Sequence, residues 1–438
     1  MLSVHVALLL VLARAGSAFA AGRNVGSNSA NPAPPHLGPL SAVVLAGNPS
    51  PGFADGPGAV AQFARNTALD TGPQGWLYVA DAGNHRVRVV DAVGEVTTLA
   101  GTGEDAQRDG PWQTAAFHDL RALSVDGRGN CYVLDGDQLR RVNASGLVST
   151  VGTLAISVGA WPWPDPHQTN LTISGLVVSR SGEVRHLGRG TVMHADGVVP
   201  CTCEVDILSY VFGGVGAARE TLASAACFQH SAAGAAWFEF WGKGTSVDAL
   251  AKGFGEEVLA YRANRDYFSS ADTPPDYWYD RSTYELVTIG RLPEMSFKAP
   301  NVTPAGMVPL NAECVLIQGN GSFFLLLPGC EPVAVASDRP PQVGLAVDHR
   351  GLIYSATANQ VLRFIPAATV VLALRVQDLA TGEVLLSVIS PPGRQVQLQQ
   401  SRDFQQWEPW QTLTSTGQDA VAVKLESDRL FLRAVLLP

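Results

Sequence analysis

One motif stands twice in the first third of this chain, and it limits the fold more than any other feature. Leu45, Ala46, Gly47, Asp55, Gly56, Ala61, Phe63, Tyr78, Val79 and Asp81 recur 54 positions later as Leu99, Ala100, Gly101, Asp109, Gly110, Ala115, Phe117, Tyr132, Val133 and Asp135. A period near 50, built from short apolar runs punctuated by Gly and Asp, is the mark of a β-propeller blade of about four strands. In the first unit the runs Thr67–Thr71, Trp76–Ala80, Val87–Asp91 and Val96–Ala100 read as strands A to D. Gly72, Pro73 and Gly75, then Gly83 and Asn84, then Gly94 supply the turns of a meander.

The second unit repeats this from Ala122 to Val151, and fainter restatements begin near Ser174, Ala235, Val302 and Val343, so the pattern predicts six blades. The last unit, carrying Val343–Asp348, Leu352–Ser355 and Gln360–Phe364, lacks a fourth strand, while Val43–Ala46 is a D-type strand with no blade before it. Pairing the two removes both unpaired edges, so the N-terminal strand is expected to close the last blade. Between Ser246 and Arg265, Val247, Leu250, Ala251, Phe254, Val258 and Tyr261 also fit one face of an amphipathic helix, against which Gly253 and Gly255 argue. Beyond Pro366 six further strand-like runs, from Val370–Leu374 to Leu430–Leu436, predict a separate small β-sandwich.

The segment Ala80-Asp81-Ala82-Gly83-Asn84-His85-Arg86-Val87, followed by Thr97-Thr98-Leu99-Ala100-Gly101, resembles the NHL repeat, which implies a mostly six-bladed propeller. The final stretch, with Gln399-Gln400-Ser401-Arg402-Asp403-Phe404 and Phe431-Leu432-Arg433-Ala434, resembles a β module of exported bacterial proteins, especially of Verrucomicrobia-like groups. The expected organisation is therefore a signal peptide over 1–20, a linker over 21–39, an NHL-type propeller over 40–366 and a β-sandwich module over 367–438.

The signal peptide rests on the apolar run Val4–Leu12 and the small residues Ala18-Phe19-Ala20 of an A-x-A-like cleavage site. No later run is long enough for a membrane helix, so a secreted, periplasmic or cell-surface location is expected, with no transmembrane helix after signal cleavage. Six cysteines in such a chain permit up to three disulfides, and Cys314 with Cys330, flanking a hairpin turn at Gly319-Asn320-Gly321, is the preferred pair. Cys201 and Cys203 form a single C-x-C, which without a second ligand pair assigns no metal. A formal charge of −9 argues against phosphate-backbone binding, which needs clustered positive charge, so no nucleic-acid partner is expected.

In a propeller the D–A loops and B–C turns share one face with the mouth of the central channel, where ligands gather. The candidate ligand-binding residues there are Asn66, Asp81, His85, Arg86, His118, Asp119, Arg121 and His230, with Gln342 from the last unit. Asp81, Asn84 and Arg86 also suit a purely structural turn. Tyr277 and Trp278, after Pro274 and Pro275, are the aromatic candidates for a ligand or partner. The buried-strand pattern of Trp237–Trp241 reads as core. No nucleophile elbow, phosphate loop, dinucleotide fingerprint or zincin motif occurs, so no cofactor is assigned. A binding scaffold for a protein or glycan is the expected function. The NHL resemblance also implies an alternative, a metal-dependent propeller lyase or lactonase with His118 and His230 in the channel.

Overall fold

A computed structural model describes residues 38–153, 168–195, 200–211, 222–229, 242–253, 257–268, 279–289, 295–311, 313–337, 343–367, 370–378, 383–402, 405–424 and 431–437. The proposed signal peptide, His230, Trp237–Trp241, Tyr277, Trp278 and Gln342 lie outside the described residues. Two compact units divide the chain: Ala46–Ala334 with Pro341–Val361, and Met1–Leu45 with Val335–Pro340 and Leu362–Pro438.

The strands in chain order are β1 (Leu40–Ala46), then β2 (Asn66–Thr71), β3 (Leu77–Asp81), β4 (Arg86–Val90) and β5 (Val96–Ala100). Next come β6 (Leu120–Val125), β7 (Cys131–Asp135), β8 (Gln138–Val142) and β9 (Val148–Thr153). A longer set follows: β10 (Gln168–Val178), β11 (Val184–Ala195), β12 (Pro200–Val211) and β13 (Leu222–Gln229). After it come β14 (Gly242–Lys252), β15 (Val258–Phe268), β16 (Tyr279–Ile289) and β17 (Ser296–Lys298), then β18 (Pro304–Asn311), β19 (Cys314–Gly319), β20 (Ser322–Leu326) and β21 (Val333–Val335). The repeat pattern ends with β22 (Val343–Val347), β23 (Ile353–Ala356) and β24 (Val361–Pro366).

In the larger unit each successive set of four strands forms one antiparallel sheet in chain order, and β22 pairs with β23. The first strands of the sheets touch in the order β2, β6, β10, β14, β18, β22 and back to β2. Meander sheets standing around a ring of their innermost strands make a β-propeller. The first pair of each of these six sheets carries a register shift, at Asn66/Ala68, Leu120/Ala122, Ile173/Gly175, Val247/Ala249, Pro304/Gly306 and Val343/Ala346. This shared bulge marks equivalent levels even where the sequence repeat has faded.

The repeated residues have physical reasons. A Cβ on Gly101, whose φ is +108°, would stand 2.6 Å from the His85 carbonyl oxygen and 3.1 Å from the Phe117 ring. Gly47, at φ +102°, faces Asn359 and Phe63 in the same way. Each Leu-Ala-Gly therefore ends where one loop backbone lies against a neighbouring turn, with the Phe of the same repeat closing the contact. The central strand β3 is buried along its whole length, so it reads as a continuous apolar run without alternation. Tyr78, Val87, Val89, Phe117, Leu123 and Val133 form one core between the first two sheets. Leu134, Leu139, Leu176, Val178 and Val184 form the next.

Two sequence readings change. Among its described residues the segment 246–265 contains no helix: Ser246–Lys252 belongs to β14 and Val258–Arg265 to β15, paired antiparallel. The bulge at Val247/Ala249 breaks the period of two, and Leu259, Ala260 and Tyr261 are buried on both faces, which imitates a helical stripe. Cys314 and Cys330 are not bridged. β19 and β20 do form a hairpin, with Asn320 and Gly321 at φ of 51° and 75° as its two-residue turn, but Cys330 lies past the end of β20 in a turn that begins at Leu327. The strands also differ in length: β10, β11, β12, β14, β15 and β16 have 11 or 12 residues where the first two sheets have 5 or 6. Measured from the common bulge, β10 and β14 start five residues earlier than β2 and β6.

The smaller unit holds β1 beside β24 and the strands β25 (Val371–Asp378), β26 (Glu383–Ile389), β27 (Gln395–Ser401), β28 (Glu408–Thr414), β29 (Gln418–Lys424) and β30 (Phe431–Leu436). These last six make two three-stranded sheets, β25-β26-β29 and β28-β27-β30, with Leu386, Val388, Val396, Leu398, Val423 and Ala434 enclosed in one core. Gln418 accepts a hydrogen bond at 2.9 Å from the buried Arg363 of β24. Among the described residues no helix is long and apolar enough to cross a membrane.

Candidate functional site

The D–A loop and the B–C turn of the first sheet meet at one end of the strands, because Gly83 donates its amide to the Ala64 carbonyl at 2.8 Å. Asp81 organises this end. Its Oδ1 accepts the Ala64 amide at 2.8 Å, and its Oδ2 accepts Asn84 Nδ2 at 2.9 Å and Arg88 Nη1 at 2.7 Å. Arg88, wholly buried on β4, also reaches Asp55 of the preceding loop, which in turn accepts the Thr98 amide. The second sheet repeats the device, with Asp135 taking the His118 and Asp119 amides and Arg140, and Asp109 joining Arg140 to Thr150. Burial raises the Asp109 carboxyl pKa, but the Thr150 amide and Arg140 outweigh it and hold the group below its ordinary value.

Arg88, Arg140, Asp55 and Asp109 were not candidates from sequence. The signal was present, since Asp55 and Asp109 belong to the repeat and each Arg sits in the third strand of its unit. The buried arginine lay among residues read simply as strand C.

The candidates fall into two groups. Asp81 is buried and fully occupied by the turn, and Asn66, also buried, gives its amide to Ala358 O and its Nδ2 to Thr357 O. Arg86 lies 3.8 Å over the Phe53 ring and donates to Asn84 O and Thr102 O. These residues bind backbone to backbone. Of the other described candidates, His118 and Arg121 are exposed and His85 and Asp119 half-buried. His118 Nδ1 is 2.5 Å from Asp105 Oδ1, with 59% and 61% of those side chains exposed, and His85 Nδ1 donates to the His118 carbonyl at 2.9 Å. Arg121 Nε donates to Asp119 Oδ2 at 2.6 Å beside them. The Asp105 hydrogen bond raises the His118 pKa above its ordinary value, and His118 holds Asp105 below its own. Asp105, from the loop before His118, was missed because nothing local marks it.

The opposite end of the ring carries a second polar group that sequence reasoning also missed. Lys252, at the end of β14, lies 2.5 Å from Asp70 Oδ2 on β2 and also donates to the Val125 carbonyl on β6. Asp70 Oδ2 further accepts the Val125 amide at 2.7 Å and Ser124 Oγ at 3.2 Å. Strands β2 and β14 are not neighbours in the ring, so this ion pair ties non-adjacent sheets together. Among the described residues no group of three His, Cys, Asp or Glu side chains is placed to hold a metal.

No known sequence family matches the chain, and no curated protein matches it. Solved structures with distant likeness include a virginiamycin B lyase from Staphylococcus aureus, 9% identical over 69% of this chain and 97% of that one, with a TM-score of 0.36. A gluconolactonase from Xanthomonas campestris is 12% identical over 74% of this chain and 97% of its own, at a TM-score of 0.39. An aldose sugar dehydrogenase from Streptomyces coelicolor is 12% identical over 76% and 99%, at 0.36. Likenesses this distant carry no argument about the activity of this chain.

Proposed function

We propose that the chain is an exported, six-bladed, NHL-type propeller that works as a binding scaffold for a protein or glycan at the cell surface or in the periplasm. The observation that carries this reading is the water-facing cluster of Asp105, His118, Asp119 and Arg121 on loops whose buried polar groups are tied back to the sheets. A polar cluster held at fixed positions and open to water suits recognition of hydroxyl, amide or charged groups. Chemistry that depends on excluding water gains no support from side chains this exposed. Six innermost strands in ring contact support the blade number, and β1 beside β24 supports closure of the last blade by the N-terminal strand. Tyr277 and Trp278 stay in this reading as ligand contacts, and the module from 367 to 438 as a separate sandwich.

The test is binding of the purified full chain to a glycan array and to blotted cell-envelope proteins, beside an Asp105→Ala, His118→Ala, Arg121→Ala triple variant. The reading expects a ligand retained by the native chain and bound at least tenfold more weakly by the variant. A ligand bound equally by both, or none bound by the native chain, overturns it.

A further inference from the structure

The third sheet of the propeller places four metal-ligating residue types on one of its faces. In the β11–β12 ladder His194 stands opposite Cys201 and Val192 opposite Cys203, and in the β12–β13 ladder Cys203 stands opposite Cys227. Neither ladder contains a register shift there. Directly opposed residues of an antiparallel pair share a face, and so do residues two apart on a strand. His194, Cys201, Cys203 and Cys227 therefore occupy one contiguous block on one face. Opposed Cα atoms are about 4.5–5.5 Å apart and residues two apart on a strand about 6.8 Å. The register thus brings three cysteines and one histidine, donor types of structural zinc, to neighbouring positions of one sheet face.

We propose that this block is a Cys₃His site for zinc, independent of whatever the loop face binds. The C-x-C spacing lacks a second ligand pair when read alone, and the strand register supplies it from residues 7 positions before Cys201 and 24 after Cys203. Three thiolates and one imidazole are a donor set of structural zinc. A disulfide between Cys203 and Cys227 would employ two of the four residues and leave Cys201 and His194 without a part. The position also gives the metal a task. In the β10–β11 ladder Ile173, at the bulge, pairs with Gly188, so Arg189–Ala195 and the strand opposite them extend past the level where β2 and β6 begin. A metal that crosslinks three strands of this extension would fix its register.

The experiment uses the full chain, purified with its thiols reduced, incubated with Zn²⁺ and freed of excess. Elemental analysis is expected to find one zinc per chain, lost in Cys203→Ser and weakened at least tenfold in His194→Gln, with Cys330→Ser unchanged. Co²⁺ in place of zinc on the native chain should show thiolate-to-cobalt charge-transfer absorption, a readout that does not depend on any variant folding. Absence of bound zinc, zinc retained in Cys203→Ser, or Co²⁺ bound without that absorption overturns the proposal. So does a native chain that takes up no zinc and yields, on peptide mapping without reduction, a Cys203–Cys227 disulfide.

Discussion

Arg88 donates from Nη1 to Asp81 Oδ2 at 2.7 Å with both side chains fully enclosed, so each charge depends on the other for its place in the core. Removing one partner of a buried pair strands the other, at a cost of about 3–5 kcal/mol. Arg88→Leu is therefore expected to lower the denaturation midpoint sharply in urea, and Arg140→Leu to do the same in the second sheet through Asp135. The Arg88→Leu, Asp81→Leu double variant should lose less than the sum of the two single changes, and a double-mutant cycle measures the difference.

Gly101 is the clearest backbone test of the repeat. An alanine there meets the His85 carbonyl at 2.6 Å at a φ of +108°, whereas a Cβ on Gly152 meets nothing within 4 Å. Gly101→Ala should destabilise by about 1–3 kcal/mol, and Gly152→Ala should be near neutral or stabilising. Thermal unfolding followed by circular dichroism compares the two.

His118 should titrate above the ordinary histidine value of 6.5, because the charged ring keeps its hydrogen bond to Asp105. A pKa raised by folding contributes stability that is fully present below the unfolded value and lost as pH rises through the folded one. Histidine ring shifts in NMR should give a midpoint above 6.5 for the native chain and a lower one for Asp105→Asn. An unchanged midpoint would disprove the pairing in solution.

His186 behaves in the opposite sense. Burial on β11 pushes its pKa down to about 4, and neither ring nitrogen has a hydrogen-bond partner. The unfolded chain then binds the proton first, so stability falls as pH drops from 6.5 toward 4, by on the order of 3 kcal/mol. His186→Phe should flatten this part of the stability profile between pH 7 and 4.5, and equal acid slopes for the two proteins would refute the assignment.

The meander itself was legible because its signals are local. Turn glycines and the apolar runs place β2 to β5 within one residue of the sequence reading, and the second sheet spans Leu120–Thr153 where the reading gave Ala122 to Val151. The site was legible only in part. The contacts of His85 with the His118 carbonyl and of Arg121 with Asp119 join near neighbours of the repeat, whereas Asp105 reaches His118 through a loop whose course no short-range pattern states. The six apolar residues between Val247 and Tyr261 gave a false helical stripe, because a bulge and a strand buried on both faces erase the period of two.

The sequence alone determined the all-β class, the repeat and the turns, since propensity, turn chemistry and alternation act between near neighbours. Only the tertiary structure decided which charges are buried together, why Gly47 and Gly101 must be glycine, and which cysteines stand opposite one another. Those outcomes depend on ladder register and on contacts between sheets, where the partners lie 24 residues apart for Cys203 and Cys227 and 182 for Asp70 and Lys252. Register follows from how whole faces are buried, which no local window of the chain contains.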